Sequence, residues 1–287
     1  DRLETIPWTA ADLALIDEAK VLLGPTDGAE LRTYGHIVVD EAQDLSPMQL
    51  RMLARRSISG SMTVVGDVAQ ATGAEAPSGW AEPARHLAPR RRPNITELTV
   101  NYRTPAEIMD VAARVLAVAE PGLVPPRSVR STGVRPRAVA VVPGEPLAEV
   151  VARTAREELE ALGEAGGTVA VVASDTGAEA LAPALADALA RFGLDLGLPE
   201  RDGLDRPVTL LPIGLVKGLE FDAVVVVEPD AILGQEAQGM RSLYVALTRA
   251  TRRLAVVHAR PLPDVLEAGG LETGRLEVGE SVSSLGS

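Results

Sequence analysis

Short apolar runs separated by helical patterns recur along the chain, and this alternation predicts parallel α/β structure. Two uniformly apolar runs, at 36–40 and 62–66, predict strands, and the helical spacing at 47–56 between them predicts a βαβ unit. Strands this apolar are typical of a parallel sheet that is buried on both faces. A helix at 9–23, with Thr9 in the capping position, precedes them.

A second series of alternating elements follows residue 104. Thr104 as a cap, proline at the first helical position and Glu107 at the third predict a helix over 105–119. The stretch 120–137, rich in proline and arginine, predicts an irregular connection. The remaining pattern predicts strands at 138–142, 168–173, 208–211, 223–228 and 253–258, and helices at 147–162, 178–192 and 238–249; a further strand is predicted before this series, at 95–100.

These elements predict an α/β protein of two domains. We expect the first domain over 1–104, the second over 105–262, and a flexible tail over 263–287, where glycine, glutamate and serine dominate. The chain has 287 residues, 46% of them apolar, which is enough for two hydrophobic cores.

The net charge and the residue composition exclude several classes of function. The 28 basic and 40 acidic residues give a net charge of −12, which argues against binding nucleic acid by bulk charge, so we expect such contact to be weak and local. The absence of cysteine excludes disulfides and thiolate metal sites and fits a cytoplasmic location. No apolar run approaches the ~20 residues of a membrane span, so no membrane partner is expected.

The lysine count excludes one phosphate-binding motif. The chain has only two lysines, Lys20 and Lys217, and neither is part of a Gly-Lys-Ser/Thr sequence, so the P-loop is absent from these 287 residues. The first residue, Asp1, is not an initiator methionine. We therefore expect the chain to be part of a longer protein, which we call the parent.

Polar residues follow the first two predicted strands. Asp40 and Glu41 stand at the carboxyl end of the first, where α/β sheets bind ligands. At such a position Asp40 can hold Mg²⁺ through water, and Glu41 can orient and deprotonate an attacking water. The second strand leads to Asp67 and Gln70, which can hydrogen-bond a phosphate-bound water or the neighbouring carboxylates.

Three more segments complete a set of five. Asn-Tyr-Arg at 101–103 offers an aromatic face for a base and a guanidinium for a phosphate. Val-Lys-Gly-Leu-Glu-Phe-Asp occupies 216–222, and Tyr-Val-Ala-Leu-Thr-Arg-Ala occupies 244–250. In this order, the five segments resemble motifs II to VI of the UvrD/Rep-like superfamily 1 helicases.

This resemblance implies a fold and a set of residue roles. The fold would be a partial first RecA-like domain and a compact second one, both with parallel sheets, and ATP with Mg²⁺ would bind between them. Phosphoryl transfer requires positioning and positive charge at the γ-phosphate, which such a site supplies. The implied roles are Asp40 as the Mg²⁺ ligand, Glu41 as the catalytic base, Gln70 as the γ-phosphate sensor, Arg103 and Arg249 as arginine fingers, Tyr102 stacking on adenine, Glu220 contacting the ribose, and Lys217 and Gly218 in the nucleotide-binding set.

Two departures from that family point to one branch of it. Ala-Thr-Gly at 71–73 stands where these helicases carry aromatic residues that stack on single-stranded bases. Pro-Ile-Gly-Leu-Val-Lys-Gly at 212–218 replaces Thr-x-His-x-x-Lys-Gly. These features, with the sequences at 8–12 and 46–50, resemble the HelD branch, whose ATPases bind bacterial RNA polymerase and help release it from nucleic acid. The implied partner is the RNA polymerase core.

Three functions stay open at this point. The first is the C-terminal part of a HelD-like ATPase that remodels or recycles RNA polymerase. The second is a fragment of a UvrD-like 3′–5′ DNA helicase, which the charge and the missing stacking residues disfavour. The third is a non-catalytic interaction module with a RecA-like fold, which the presence of Glu41, Arg103 and Arg249 disfavours.

Overall fold

A computed structural model describes residues 8–24, 32–73, 76–87, 93–163, 166–199, 204–235, 238–267 and 270–274. The chain divides into two compact units, Asp1–Glu97 and Leu98–Ser287. The sequence placed the division at 104/105, whereas residues 98–104 go with the second unit. The strand pairing of Val100 and Asn101 with residues 127 and 128 accounts for this difference.

The first unit contains the predicted βαβ arrangement. Its described elements in chain order are α1 (Ala10–Leu23), β1 (Ile37–Val39), α2 (Pro47–Arg56), β2 (Met62–Val64) and α3 (Ala81–Leu87). Strands β1 and β2 pair in parallel. The predicted cap of α1 is confirmed, because the Thr9 hydroxyl accepts from the amide of Asp12 and the Asp12 carboxylate accepts from the amide of Thr9.

The prediction that these two strands are buried on both faces is wrong for the described residues. Val39 is buried, but Val38 is 68% exposed and Val65, directly after β2, is 45% exposed. Side chains alternate between buried and exposed along β1, so one face of this two-stranded sheet lacks a covering layer in the described part of the unit.

A seven-stranded parallel sheet forms the centre of the second unit. Two short strands, β3 (Val100–Asn101) and β4 (Arg127–Ser128), pair separately from it. The strands of the large sheet are β5 (Arg137–Ala140), β6 (Val169–Ala173), β7 (Leu196–Gly197), β8 (Val208–Pro212), β9 (Phe221–Val227), β10 (Ala250–His258) and β11 (Glu272–Gly274). The described helices are α4 (Ala106–Ala119), α5 (Leu147–Ala161), α6 (Asp175–Ala190), α7 (Pro229–Gln235), α8 (Gly239–Thr248) and α9 (Asp264–Glu267).

The strand order is β11-β5-β10-β9-β6-β8-β7, and every neighbouring pair runs parallel. The central strands β6 and β9 are almost wholly buried, as uniformly apolar parallel strands require. Helix α5 packs on β9 and helix α6 on β6 and β8, and Ala223 and Val225 of β9 belong to the same buried cluster, while α8 contacts β9, β10 and α4. The predicted α/β class with parallel sheets is confirmed.

Two predicted helix starts are displaced. Helix α6 begins before the predicted residue 178, because Ser174 caps it by accepting from the amide of Gly177, and it continues through Pro183. Thr104 does not cap α4, which begins one residue later after Pro105. The Thr104 hydroxyl makes a long hydrogen bond to the carbonyl of Thr248 instead, at 3.5 Å.

Two other predictions are wrong in the described residues. The strand expected at 95–100 is reduced to Val100–Asn101, and Ile95 and Leu98 are 58% and 86% exposed, so nothing packs on them to support a longer strand. The tail expected from 263 contains α9 and β11 before residue 275. Strand β11 is ordered by pairing with β5. Residues 275–287 lie outside the described residues.

The sequence also missed α3, α7 and the two-residue strands β4 and β7. Within the part of the chain that the structure describes, no helix combines the length and apolarity that crossing a bilayer requires.

Candidate functional site

The loop after β1 presents the predicted acid pair. Asp40 is exposed, and its Oδ1 accepts a hydrogen bond from the amide of Glu41 at 2.9 Å. Glu41 has φ 49° and ψ 40°, a left-handed conformation that is uncommon for residues other than glycine. Such strained backbone persists only where its surroundings hold it, and it often occurs at functional sites. The first unit therefore holds the backbone of Glu41 in a defined geometry.

The loop after β2 presents Asp67 and Gln70. The Asp67 carboxylate accepts from the amide of Ala69 at 2.9 Å and from the Gln70 side-chain amide at 2.8 Å. Asp67 therefore fixes both the turn and the side chain that the resemblance assigns to the γ-phosphate.

Gln43 joins these two loops, and sequence reasoning gave it no role. Its side chain is almost fully buried and hydrogen-bonds both Glu41 and the amide of Asp67. A signal for it was present, since Gln43 is an uncharged polar residue inside the acidic segment 40–44.

The acid pair fits one mode of magnesium binding. Among the described residues, no group of three or more His, Cys, Asp or Glu side chains could enclose a metal ion. Mg²⁺ is commonly bound by one or two carboxylates together with waters and substrate phosphates, and the exposed carboxylate of Asp40 suits that mode. Asp40 therefore fits a Mg²⁺ ion that arrives with a nucleotide.

In the second unit, the segment 101–103 lies against the segment 216–222. The Asn101 side chain accepts from the amide of Arg103 at 2.8 Å, which fixes the turn after β3. Tyr102 is 72% exposed at this turn, as a ring that stacks on a base must be. The Arg103 guanidinium forms an ion pair with Glu220.

Gly218 and Glu220 of the segment 216–222 lie immediately before β9. Gly218 has φ +75°, a conformation that side chains rarely adopt, so the turn after Lys217 favours glycine. Glu220 is 38% exposed in its side chain and can therefore meet a ligand.

Arg249 occupies a different environment from Arg103. Only 8% of Arg249 is exposed. Its Nε donates to the carbonyl of Val245 at 3.1 Å, and its Nη1 donates to the carbonyl of Leu219 at 3.4 Å. Arg249 thus connects the end of α8 to the loop before β9, and the structure brings the segments 216–222 and 244–250 together through it.

Comparisons with known proteins point to a helicase family for part of the second unit. Residues 207–257 match the model of the family described as the UvrD-like helicase C-terminal domain. That match includes both the segment 216–222 and the segment 244–250. A search of curated proteins found no match.

Two solved structures are similar to the chain at low identity. One is the C-terminal domain of a possible DNA helicase from Lactobacillus plantarum WCFS1, with 24% identity and a TM-score of 0.44, covering 58% of this chain and 92% of that one. The other is the PRRSV helicase, with 19% identity and a TM-score of 0.38, covering 77% of this chain and 34% of that one. The similarity to the UvrD-like helicase C-terminal domain thus covers residues 207–257.

Proposed function

We propose that this chain is the C-terminal part of an ATP-dependent motor of the UvrD-like group, close to its HelD branch, whose parent acts on RNA polymerase. One observation carries the motor assignment. Residues 207–257, which match the helicase family, contain both the segment 216–222 and the segment 244–250. The buried guanidinium of Arg249 links these two segments by hydrogen bonds. A nucleotide-dependent movement of one segment would therefore be transmitted to the other.

The residues of the chain suit ATP hydrolysis. Bound ATP with Mg²⁺ would supply the phosphoryl group and its charge compensation. Glu41 would take the proton from the attacking water, and Gln70 would hydrogen-bond the γ-phosphate. In the second unit, Tyr102 would stack on the base, and Glu220 would accept a hydrogen bond from a ribose hydroxyl.

The choice of RNA polymerase over DNA as the substrate rests on the residue after Gln70 and on the overall charge. Ala71 is fully buried, so its position presents no side chain on which a base could stack. Stacking on aromatic residues is worth about 1–3 kcal/mol per base, and only 2% of the chain is aromatic. The net charge of −12 also weakens attraction to phosphates.

Turnover of the parent with Glu41→Gln tests the motor. We expect this change to abolish ATP hydrolysis and to leave nucleotide binding largely intact, since it removes the base but not Asp40. Glu82→Gln, on the exposed start of α3, is the matched control and should hydrolyse ATP normally. Hydrolysis at the wild-type rate in Glu41→Gln would contradict the assignment and favour the non-catalytic interaction module.

Two binding measurements test the partner. We expect the parent to co-purify with RNA polymerase core and to bind single-stranded oligonucleotides weakly at physiological salt. Tight oligonucleotide binding with processive unwinding and no polymerase association would instead establish a UvrD-like 3′–5′ DNA helicase.

A further inference from the structure

Gln43 lies between the two polar loops of the first unit and contacts both. Its side chain is only 2% exposed. Its Nε2 donates to Glu41 Oε2 at 2.6 Å and, at 3.4 Å, to Asp44 Oδ2. Its Oε1 accepts from the amide of Asp67 at 3.0 Å. One buried amide therefore spans from the loop after β1 to the loop after β2.

The chemistry of the partners determines which way this amide points. Carboxylates can only accept hydrogen bonds, and a backbone amide can only donate one. The opposite orientation of the Gln43 amide would direct its oxygen at Glu41 and its NH₂ group at the amide of Asp67, and it would leave all of these groups unsatisfied. Because an unsatisfied buried polar group is costly, the observed orientation is strongly favoured.

Gly66 provides the space that this contact needs. A Cβ atom at Gly66 would lie 2.3 Å from Gln43 Oε1, 2.9 Å from the Trp80 ring and 3.1 Å from the amide nitrogen of Ala42. A real Cβ does not approach other atoms so closely. Residue 66 must therefore be glycine for the Gln43 side chain to reach Asp67.

We propose that Gln43 is a positioning residue that couples the catalytic base to the γ-phosphate loop. The Gln70 side chain donates to Asp67, the amide of Asp67 donates to Gln43, and Gln43 donates to Glu41. This continuous hydrogen-bonded chain fixes the carboxylate that activates water relative to the side chain that contacts the γ-phosphate. The catalytic roles at its two ends rest on the proposed function, whereas the chain of contacts does not.

Hydrogen exchange in the 287-residue chain tests the contact itself. Gln43→Met keeps the length of the side chain and removes its hydrogen bonds, so the amide of Asp67 should exchange about tenfold faster. Gln49→Met is the matched control, because Gln49 also accepts from a backbone amide, that of Ser46 at 2.8 Å, in the same unit. Gln49→Met should leave exchange at Asp67 unchanged. Unchanged exchange at Asp67 in folded Gln43→Met would overturn the proposal.

Steady-state kinetics of the parent test the coupling. Gln43→Met should lower kcat by about 10- to 100-fold, as loss of a supporting hydrogen bond does, and leave KM for ATP unchanged. If Gln43 had only a structural role, the substitution would lower the amount of folded enzyme and would leave kcat per folded molecule unchanged.

Gly66→Ala disrupts the same contact by placing a Cβ atom against Gln43 Oε1. It should also speed exchange at the amide of Asp67 and lower kcat, and it provides the test if Gln43→Met fails to fold. Its control is Gly73→Ala, where a Cβ would meet nothing within 4 Å. In the double variant the changes in exchange at Asp67 should not add, because both substitutions remove the hydrogen bond from the amide of Asp67 to Gln43.

The outcomes separate this proposal from the proposed function. If Glu41→Gln abolishes turnover while Gln43→Met keeps the wild-type kcat, the coupling is wrong and the motor assignment stands. If the wild-type parent has no turnover, the motor assignment is wrong and the catalytic role of Gln43 is overturned with it.

Discussion

Arg103 and Glu220 form an ion pair within the second unit, although one follows β3 and the other precedes β9. The resemblance to superfamily 1 helicases assigns Arg103 to the γ-phosphate and Glu220 to the ribose. Each side chain therefore has a partner that a nucleotide would have to replace. In the proposed motor, this ion pair would have to open before both side chains could contact a nucleotide.

Removing this ion pair should affect turnover far more than stability. The side chains are 53% and 38% exposed, so Arg103→Ala or Glu220→Ala should change the free energy of unfolding by at most about 1 kcal/mol. ATP turnover of the parent should fall strongly in both variants. Urea unfolding of the 287-residue chain and phosphate release by the parent measure the two effects.

A charge swap provides a sharper comparison. Arg103→Glu combined with Glu220→Arg should restore the ion pair and the stability but not turnover. Glu160→Ala, which removes the exposed Arg156–Glu160 pair of α5, is the control, with a similar change in stability and normal turnover. Normal turnover in the swapped variant would show that neither side chain meets the nucleotide.

Arg249→Ala should lower both stability and turnover. Its buried guanidinium donates to the carbonyls of Val245 and Leu219, so its loss should cost about 1–3 kcal/mol of folding free energy. An arginine finger is also worth about 10³-fold or more in turnover.

The measurement for Arg249→Ala is turnover per folded molecule, with the folded fraction taken from urea unfolding. Arg260→Ala, which removes an arginine whose side chain is 63% exposed in the same unit, should change both quantities little. Wild-type turnover per folded Arg249→Ala molecule would limit Arg249 to its structural contacts.

Local features of the fold were predictable, and features that depend on distant residues were not. Thr9 and Asp12 form their capping box within one turn of helix, so their spacing was a sufficient signal. Strand β11 becomes a strand only by pairing with β5, which lies far away in sequence. Thr104 fits a cap by spacing, but its burial and its contact with Thr248 depend on tertiary structure.

The same distinction between local and long-range features applies to the candidate site. The positions of Asp40 and Gln70 at strand ends followed from the apolar runs before them. The role of Gln43 depends on the amide of Asp67, and the burial of Arg249 depends on the carbonyl of Leu219. No local pattern contains those contacts.

Acid should remove a contribution of Glu107 to stability. Partial burial acts to raise the pKa of Glu107, but hydrogen bonds from Ser131 and from the backbone amides of Glu107, Gly133 and Thr132 together outweigh it and lower the pKa from 4.5 to about 2. A folded-state pKa below the unfolded value stabilises the protein above pH 4.5, and this contribution disappears as the pH falls from 4.5 to about 2.

Urea unfolding of wild type and Glu107→Gln at several pH values measures this contribution. The variant should be less stable at neutral pH, and the difference should shrink steadily in acid. Asp110→Asn, which changes an exposed carboxylate of the same helix, is the control and should show no such convergence. A difference between wild type and Glu107→Gln that is independent of pH would contradict the prediction.

The 287-residue chain by itself should hydrolyse ATP at no more than the background rate. Phosphoryl transfer depends on positioning the β- and γ-phosphates and neutralising their charge, and the P-loop amides and lysine that do this are absent from the sequence. The two arginines that the resemblance implies as fingers do not replace them, since Arg103 is paired with Glu220 and Arg249 is hydrogen-bonded to carbonyls of its own unit. Phosphate release by the purified chain, compared with its Glu41→Gln variant, is the measurement. Turnover above background that disappears in Glu41→Gln would show that the chain positions ATP without a P-loop.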